Sequence, residues 1–172
     1  MKLRLPIALL AGLALLACSP KADDKAAERP ATDDPNAAIV ADNPFFGKWQ
    51  LIRAQIAPWW DHQGAEPQAD TNFTMVNFEP GKSSGAPIVT CSKPQYSVSL
   101  VGPPVLFEGN LKEPWVEARQ LGFTITGNDI TQLNLSCKDG TRDVSLDFPM
   151  LNDNTIFLGL DNIIYTLQRS AS

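Results

Sequence analysis

Histidine is almost missing from this 172-residue chain: His62 is the only one, and cysteine occurs three times. So few of either leaves no group with the ligand spacing of a metal centre, and no metal is expected. Basic residues are also in short supply. Lysine and arginine number 14 against 19 aspartates and glutamates, a formal net charge of −5. A chain of that balance has no basic stripe to neutralise phosphates, so nucleic acid is not an expected partner. The phosphate-cradling glycine loop, the dinucleotide fingerprint and the EF-hand pattern are all lacking. So is the GxSxG turn that presents a nucleophilic serine. There is no internal repeat, and the expectation is a non-enzymatic protein without a cofactor.

Long apolar runs are scarce too. Leu5 to Leu16 is too short for a stable transmembrane helix, but after Lys2 and Arg4 it has the layout of an export signal. The run ends Leu15, Leu16, Ala17, Cys18, which resembles the bacterial lipobox. That resemblance implies removal of residues 1–17 as a signal peptide, a diacylglycerol (and further acyl chain, such as palmitate) on Cys18, and a lipoprotein anchored in the cell envelope. Leu16 stands where the family prefers Ala or Ser, and Ser19 after the cysteine implies the outer membrane, with the domain facing the periplasm. The alternative is an ordinary secretory signal cut near a cysteine. Residues 18–44 then form the lipidated cysteine and a flexible tether. Its Ala, Asp, Lys and Pro composition cannot bury enough surface to offset ordering. About 26 such residues span roughly 30 Å as a random coil. With Cys18 assigned to lipid by the resemblance, Cys91 and Cys137 are left in an oxidising compartment, where a disulfide is expected. A metal site is the alternative for that pair.

Composition changes at FFGKWQLIRAQI, residues 45–56, and residues 45–172 read as one β-rich domain. The first strand alternates imperfectly. Further candidates are 72–78, 88–91, 96–100, 105–109, 129–137 and 141–151, followed by two strands within 155–169 around Asp161-Asn162. One short helix is expected over 113–122, with Pro114 in its first turn and Gly122 at its end. Short strands with frequent turn signals point to an antiparallel barrel or sandwich, and closure would remove exposed edges.

Phe46-Gly47-Lys48-Trp49 looks like the G-x-W opening of lipocalin-like barrels. The resemblance implies a small antiparallel lipocalin-like β-barrel in which Trp49 closes one end and a basic residue from the chain's end, here Arg169, packs over it. Small bacterial META-type lipoproteins are similar in outline, although Thr90-Cys91-Ser92 stands where their Gly-Cys-Asn segment is sought. The post-barrel helix of true lipocalins has no counterpart. Membrane-bound lysozyme inhibitors share the lipobox, the small barrel and a cysteine pair, but not a recognisable inhibitory loop.

Trp59, Trp60 and His62 in PWWDHQG are the candidate binding rim. The tryptophans fit either a plug closing one barrel end or an aromatic lip around its mouth. Asp61 beside His62 has the composition of an oriented base, but neighbours on an extended chain point apart, and a solvated loop histidine is the plainer reading. The functional expectation is a binding module, held to the membrane through Cys18, for a small apolar ligand or an envelope component. The alternative is a proteinaceous inhibitor of a periplasmic hydrolase such as lysozyme, a basic target drawn to an acidic domain.

Overall fold

The computed structural model describes residues 43–140 and 142–171. The expected signal peptide, Cys18 and all but the last two residues of the expected tether lie outside the described residues.

The domain is mainly β. Its strands are β1 (Gly47–Ile56), β2 (Met75–Glu79), β3 (Lys82–Gly85), β4 (Gln95–Val101), β5 (Ile130–Asp139), β6 (Arg142–Asn152), β7 (Thr155–Leu160) and β8 (Ile163–Arg169). Between β4 and β5 come a 3-10 segment, Pro103–Gly109, and a helix α1, Pro114–Gln120. The strands form one antiparallel sheet in the order β3-β2-β1-β8-β7-β6-β5-β4, curled into a half-barrel.

Strand periodicity sorts the apolar residues into two cores, one on each side of the sheet. Along β7, Ile156 and Leu158 enter one cluster while Phe157 enters the other; along β8, Ile163 and Tyr165 separate from Ile164 in the same way. The first cluster draws Trp49, Phe78, Leu135 and Phe148 from across the sheet and fills the inside of the curl. The second lies outside. There Leu106, Phe107, Leu111, Ala118 and Phe123 of the β4–β5 connection cover Ile130, Phe157 and Ile164.

The imperfect alternation of the first strand is a bulge. Leu51 pairs with Leu167 and Arg53 with Thr166, so Ile52 is an extra residue and stands 57 % exposed. Pro149 also has a positional reason. It closes the pairing of β6 with β5, opposite Gln132, and from Met150 onward β6 pairs with β7. A residue without an N–H fits where a strand changes partner.

Two expected strands do not form. Residues 88–91 make a turn, and only Cys91 joins the sheet, through an isolated bridge to Ser83. Residues 105–109 belong to the 3-10 segment, because Pro103 and Pro104 fix φ and remove the donors a ladder needs. Leu106 and Phe107 are buried by capping the sheet from outside, not by pairing within it, while Val105 stays exposed. Conversely β3, KSSG, forms without an apolar residue to announce it.

The curl does not close by a hydrogen-bonded ladder. β3 and β4 remain its two edges, and covalent and side-chain links span the gap. Ser83 and Cys91 exchange both backbone bonds at 2.9 Å, and a Cys91–Cys137 disulfide ties that segment to β5. The Tyr96 hydroxyl on β4 donates to the Lys82 carbonyl on β3 at 2.7 Å. Burial, aided by the charge of Glu79 and opposed by a hydrogen bond with Ser83, pushes the Tyr96 phenol up to about 12. In the unfolded chain the same group ionises near 10. The folded protein therefore holds this proton longer, and stability due to Tyr96 is intact below pH 10 and declines from pH 10 to 12. Urea unfolding across that window should show the decline in the native chain and a flatter profile in Tyr96→Phe; equal slopes would remove the assignment.

Candidate functional site

At the end of β1 the chain turns at Ala57, whose N–H donates to the Asn162 carbonyl in the β7–β8 turn at 2.8 Å. This bond sets the Pro58-Trp59-Trp60 loop beside the hairpin. The end of the 3-10 segment completes a surface cleft of about 290 Å³, lined by Trp59, Phe107, Glu108, Asn110, Asp161 and Asn162 among others.

Backbone strain gathers here. Among the described residues five non-glycines have positive φ, and four of them, Phe107, Glu108, Asp161 and Asn162, line this cleft. Asp161 (48°) and Asn162 (64°) are what a two-residue β-hairpin demands. Phe107 (51°) and Glu108 (59°) answer to no such demand, and a bulky aromatic in the left-handed region costs on the order of 1–3 kcal/mol. The surroundings hold them there. Asn110 donates to the Phe107 carbonyl twice, from Nδ2 at 2.8 Å and from its backbone N–H at 3.2 Å. The Phe107 ring is buried, 5.3 Å from Trp59 and 6.4 Å from Phe157 between centroids. Gly159 makes the room: a Cβ there would stand 2.9 Å from Phe107 Cδ1. Burying a phenylalanine contributes about 2–3 kcal/mol, enough to offset the strain.

The result is an aromatic floor with a polar rim. Trp59 is half-buried, while Glu108, Asn110, Asp161 and Asn162 are exposed. Such a surface offers an apolar face for stacking and carboxylate and amide oxygens as acceptors.

The expected rim residues divide. Trp59 enters the cleft, whereas Trp60 and His62 pack against each other outside it, with ring centroids 4.4 Å apart and planes tilted by 59°. His62 is exposed, and the Asp61 carboxylate accepts the Gln63 N–H at 3.0 Å. Neither tryptophan of the pair joins the core inside the curl. Phe73 does so instead, with its ring 4.6 Å from that of Tyr165, whose hydroxyl accepts the Asp70 N–H at 2.9 Å.

At the other end of β1, the Arg169 guanidinium lies 4.1 Å over the Trp49 ring. It donates to the carbonyls of Phe46 (2.9 Å), Asp153 (3.0 Å) and Pro44, while Trp49 Nε1 donates to the Phe45 carbonyl at 2.7 Å. Burial lowers the guanidinium's pKa, against the opposing charge of Asp153. These polar groups are engaged within the chain, so this end reads as structure. Among the described residues no three His, Cys, Asp or Glu side chains gather to hold a metal.

Sequence reasoning missed Phe107 and Glu108 because Val105-Leu106-Phe107 read as a strand. Gly109 immediately after them, and Gly159 as the lone glycine inside β7, were the available signals of an unusual backbone and a close approach. No family model matches the chain, and neither a curated protein nor a solved structure gives a significant match.

Proposed function

We propose that this protein is an outer-membrane lipoprotein, anchored through Cys18, whose domain binds a glycan component of the envelope at the Trp59–Phe107 cleft. The observation that carries the reading is the strained Phe107-Glu108 pair, held at a cleft whose floor is aromatic and whose rim bears carboxylates and amides. Strain of this kind persists where its geometry is used. Large side chains, among them Trp49, Phe73, Phe78 and Phe148, pack the inside of the curl, which favours a ligand held at the surface over an apolar molecule inside. Sugar C–H faces pack on an indole, and sugar hydroxyls donate to carboxylate and amide oxygens. A tether of about 26 residues gives the domain a reach of roughly 30 Å from the membrane.

The inhibitor of a basic hydrolase such as lysozyme is the second reading, favoured by the net charge of −5 and by the exposed Glu108 and Asp161 at the cleft. Co-sedimentation of the full chain with purified cell-wall glycan separates the two. Trp59→Ala should weaken glycan binding by about 2 kcal/mol, roughly thirtyfold. Unchanged binding in that variant would remove the cleft from the reading. Inhibition of a basic hydrolase that is lost in Glu108→Gln/Asp161→Asn would install the second. Incorporation of radioactive palmitate in cells should require Cys18, and label in Cys18→Ser would remove the anchor.

A further inference from the structure

The two edges of the sheet are treated differently. β3 has four residues, includes Lys82, and has its outer side occupied by the bridge to Cys91. β4 is QYSVSLV, seven residues without a charge, a proline or a glycine, and among the described residues only β5 pairs with it. Tyr96, Val98 and Leu100 lie opposite Leu135, Leu133 and Thr131 on the inner side of the sheet. The curl leaves two of them uncovered: Val98 is 37 % exposed and Leu100 66 %. Natural edges are normally blunted by charge, proline, bulges or cover; β4 carries no charge, proline or bulge, and its tie across the gap to β3 is the Tyr96 hydroxyl on the Lys82 carbonyl.

We infer that the free edge of β4 pairs antiparallel with β4 of a second copy of this chain, across a twofold axis at Val98. The strand reads nearly the same in both directions. About that axis Val98 meets Val98, Ser97 meets Ser99, Tyr96 meets Leu100 and Gln95 meets Val101, so apolar side chains face apolar ones on the inner side and serines face serines on the outer. The flanking charges are complementary as well. Lys93 borders the Gln95 end of the strand, beside a Lys138 that is paired with Asp143 at 3.5 Å, whereas Asp129 adjoins Ile130, the partner of Val101 at the other end. Antiparallel pairing brings Lys93 of each copy toward Asp129 of the other. A neutral strand also spares two copies of net charge −5 a like-charge contact at the seam. The interface is isologous and self-limiting, since pairing consumes the open edge of both copies.

Cysteine crosslinking of the full chain in the membranes of producing cells tests the register. Directly opposed Cβ atoms lie about 5 Å apart, so Val98→Cys should give a disulfide-linked dimer at about tenfold or more the yield of the unaltered chain. Gln95→Cys should not exceed the unaltered chain, because its two copies would be roughly 20 Å apart along the strands. In sedimentation of the purified full chain, Val98→Lys should raise the dimer dissociation constant about tenfold or more by setting two ammonium groups face to face. Val98 and position 95 are on the exposed edge, and circular dichroism verifies that each variant is folded. Equal crosslinking at 95 and 98, no dimer in either assay, or an adduct of Val98→Cys with a different protein would each overturn the self-pairing.

Discussion

Replacing Cys91 and Cys137 together with alanine lowers the unfolding free energy by about 4 kcal/mol, the largest effect expected of any pair of small side chains in the domain. The bond joins positions 46 residues apart in sequence, and in the chain-entropy model a loop of that length restricts the unfolded ensemble to that extent. The native state loses something too. Cys91 is the residue that exchanges backbone bonds with Ser83, so the covalent tie to β5 also holds the isolated bridge that covers the β3 edge. The matching shift in melting temperature is roughly 15 °C for a domain of this size. Urea titration of the native and doubly substituted chains measures the difference. A reductant should reproduce it in the native chain and leave the substituted one unmoved. A loss below about 1 kcal/mol would mean that the bond restricts a region already ordered in the unfolded chain.

Trp49→Ala costs about 4 kcal/mol, by a different route. Trp49 is wholly buried in the core inside the curl, and truncation leaves a cavity that rigid strands on several sides close only in part. It also removes the donor to the Phe45 carbonyl and the ring beneath Arg169. Trp49→Phe keeps most of the apolar surface and should cost about half as much. The ring and the guanidinium act as a pair, so Trp49→Ala and Arg169→Ala should be less than additive by about 1 kcal/mol. Full additivity in that double-mutant cycle would show that Arg169 serves its three carbonyls and owes nothing to the indole.

The elements that are legible in the sequence share a property: each carries enough apolar or turn-forming residues of its own to mark it. Val144, Leu146 and Phe148 of β6 alternate with polar neighbours, β8 is apolar on both faces because it lies between the two cores, and Asp161-Asn162 announces its own turn. Cys91 and Cys137 pair as the count implied once Cys18 was set aside. Legibility ended where packing overrode local pattern. Val105-Leu106-Phe107 carries strand composition but serves as a cap on the outside of the sheet, and nothing within KSSG foretells β3. The bulge at Ile52 is visible as a fault in the alternation, but only the pairing with β8 gives its cause. The cleft was half legible: Trp59 stood out as an unusual loop aromatic, whereas Phe107, Glu108 and Gly159 join it only through the meeting of three distant segments.

The place of β1 in the sheet has a bearing on how the chain reaches its native state. β1 is the first of the described strands to be synthesised, yet it lies between β2 and β8, and Arg169 bonds to the Phe46 carbonyl across 123 residues of sequence. The two hairpins β5–β6 and β7–β8 assemble from neighbours and can form early, while β1, inside the sheet, waits for β8. Loop-closure entropy must be met before that contact returns anything, which places the domain among slow-folding, high-contact-order topologies. Deleting β8 would thus remove the completing step of folding, and the chain would keep its first strand as an open edge from synthesis to degradation.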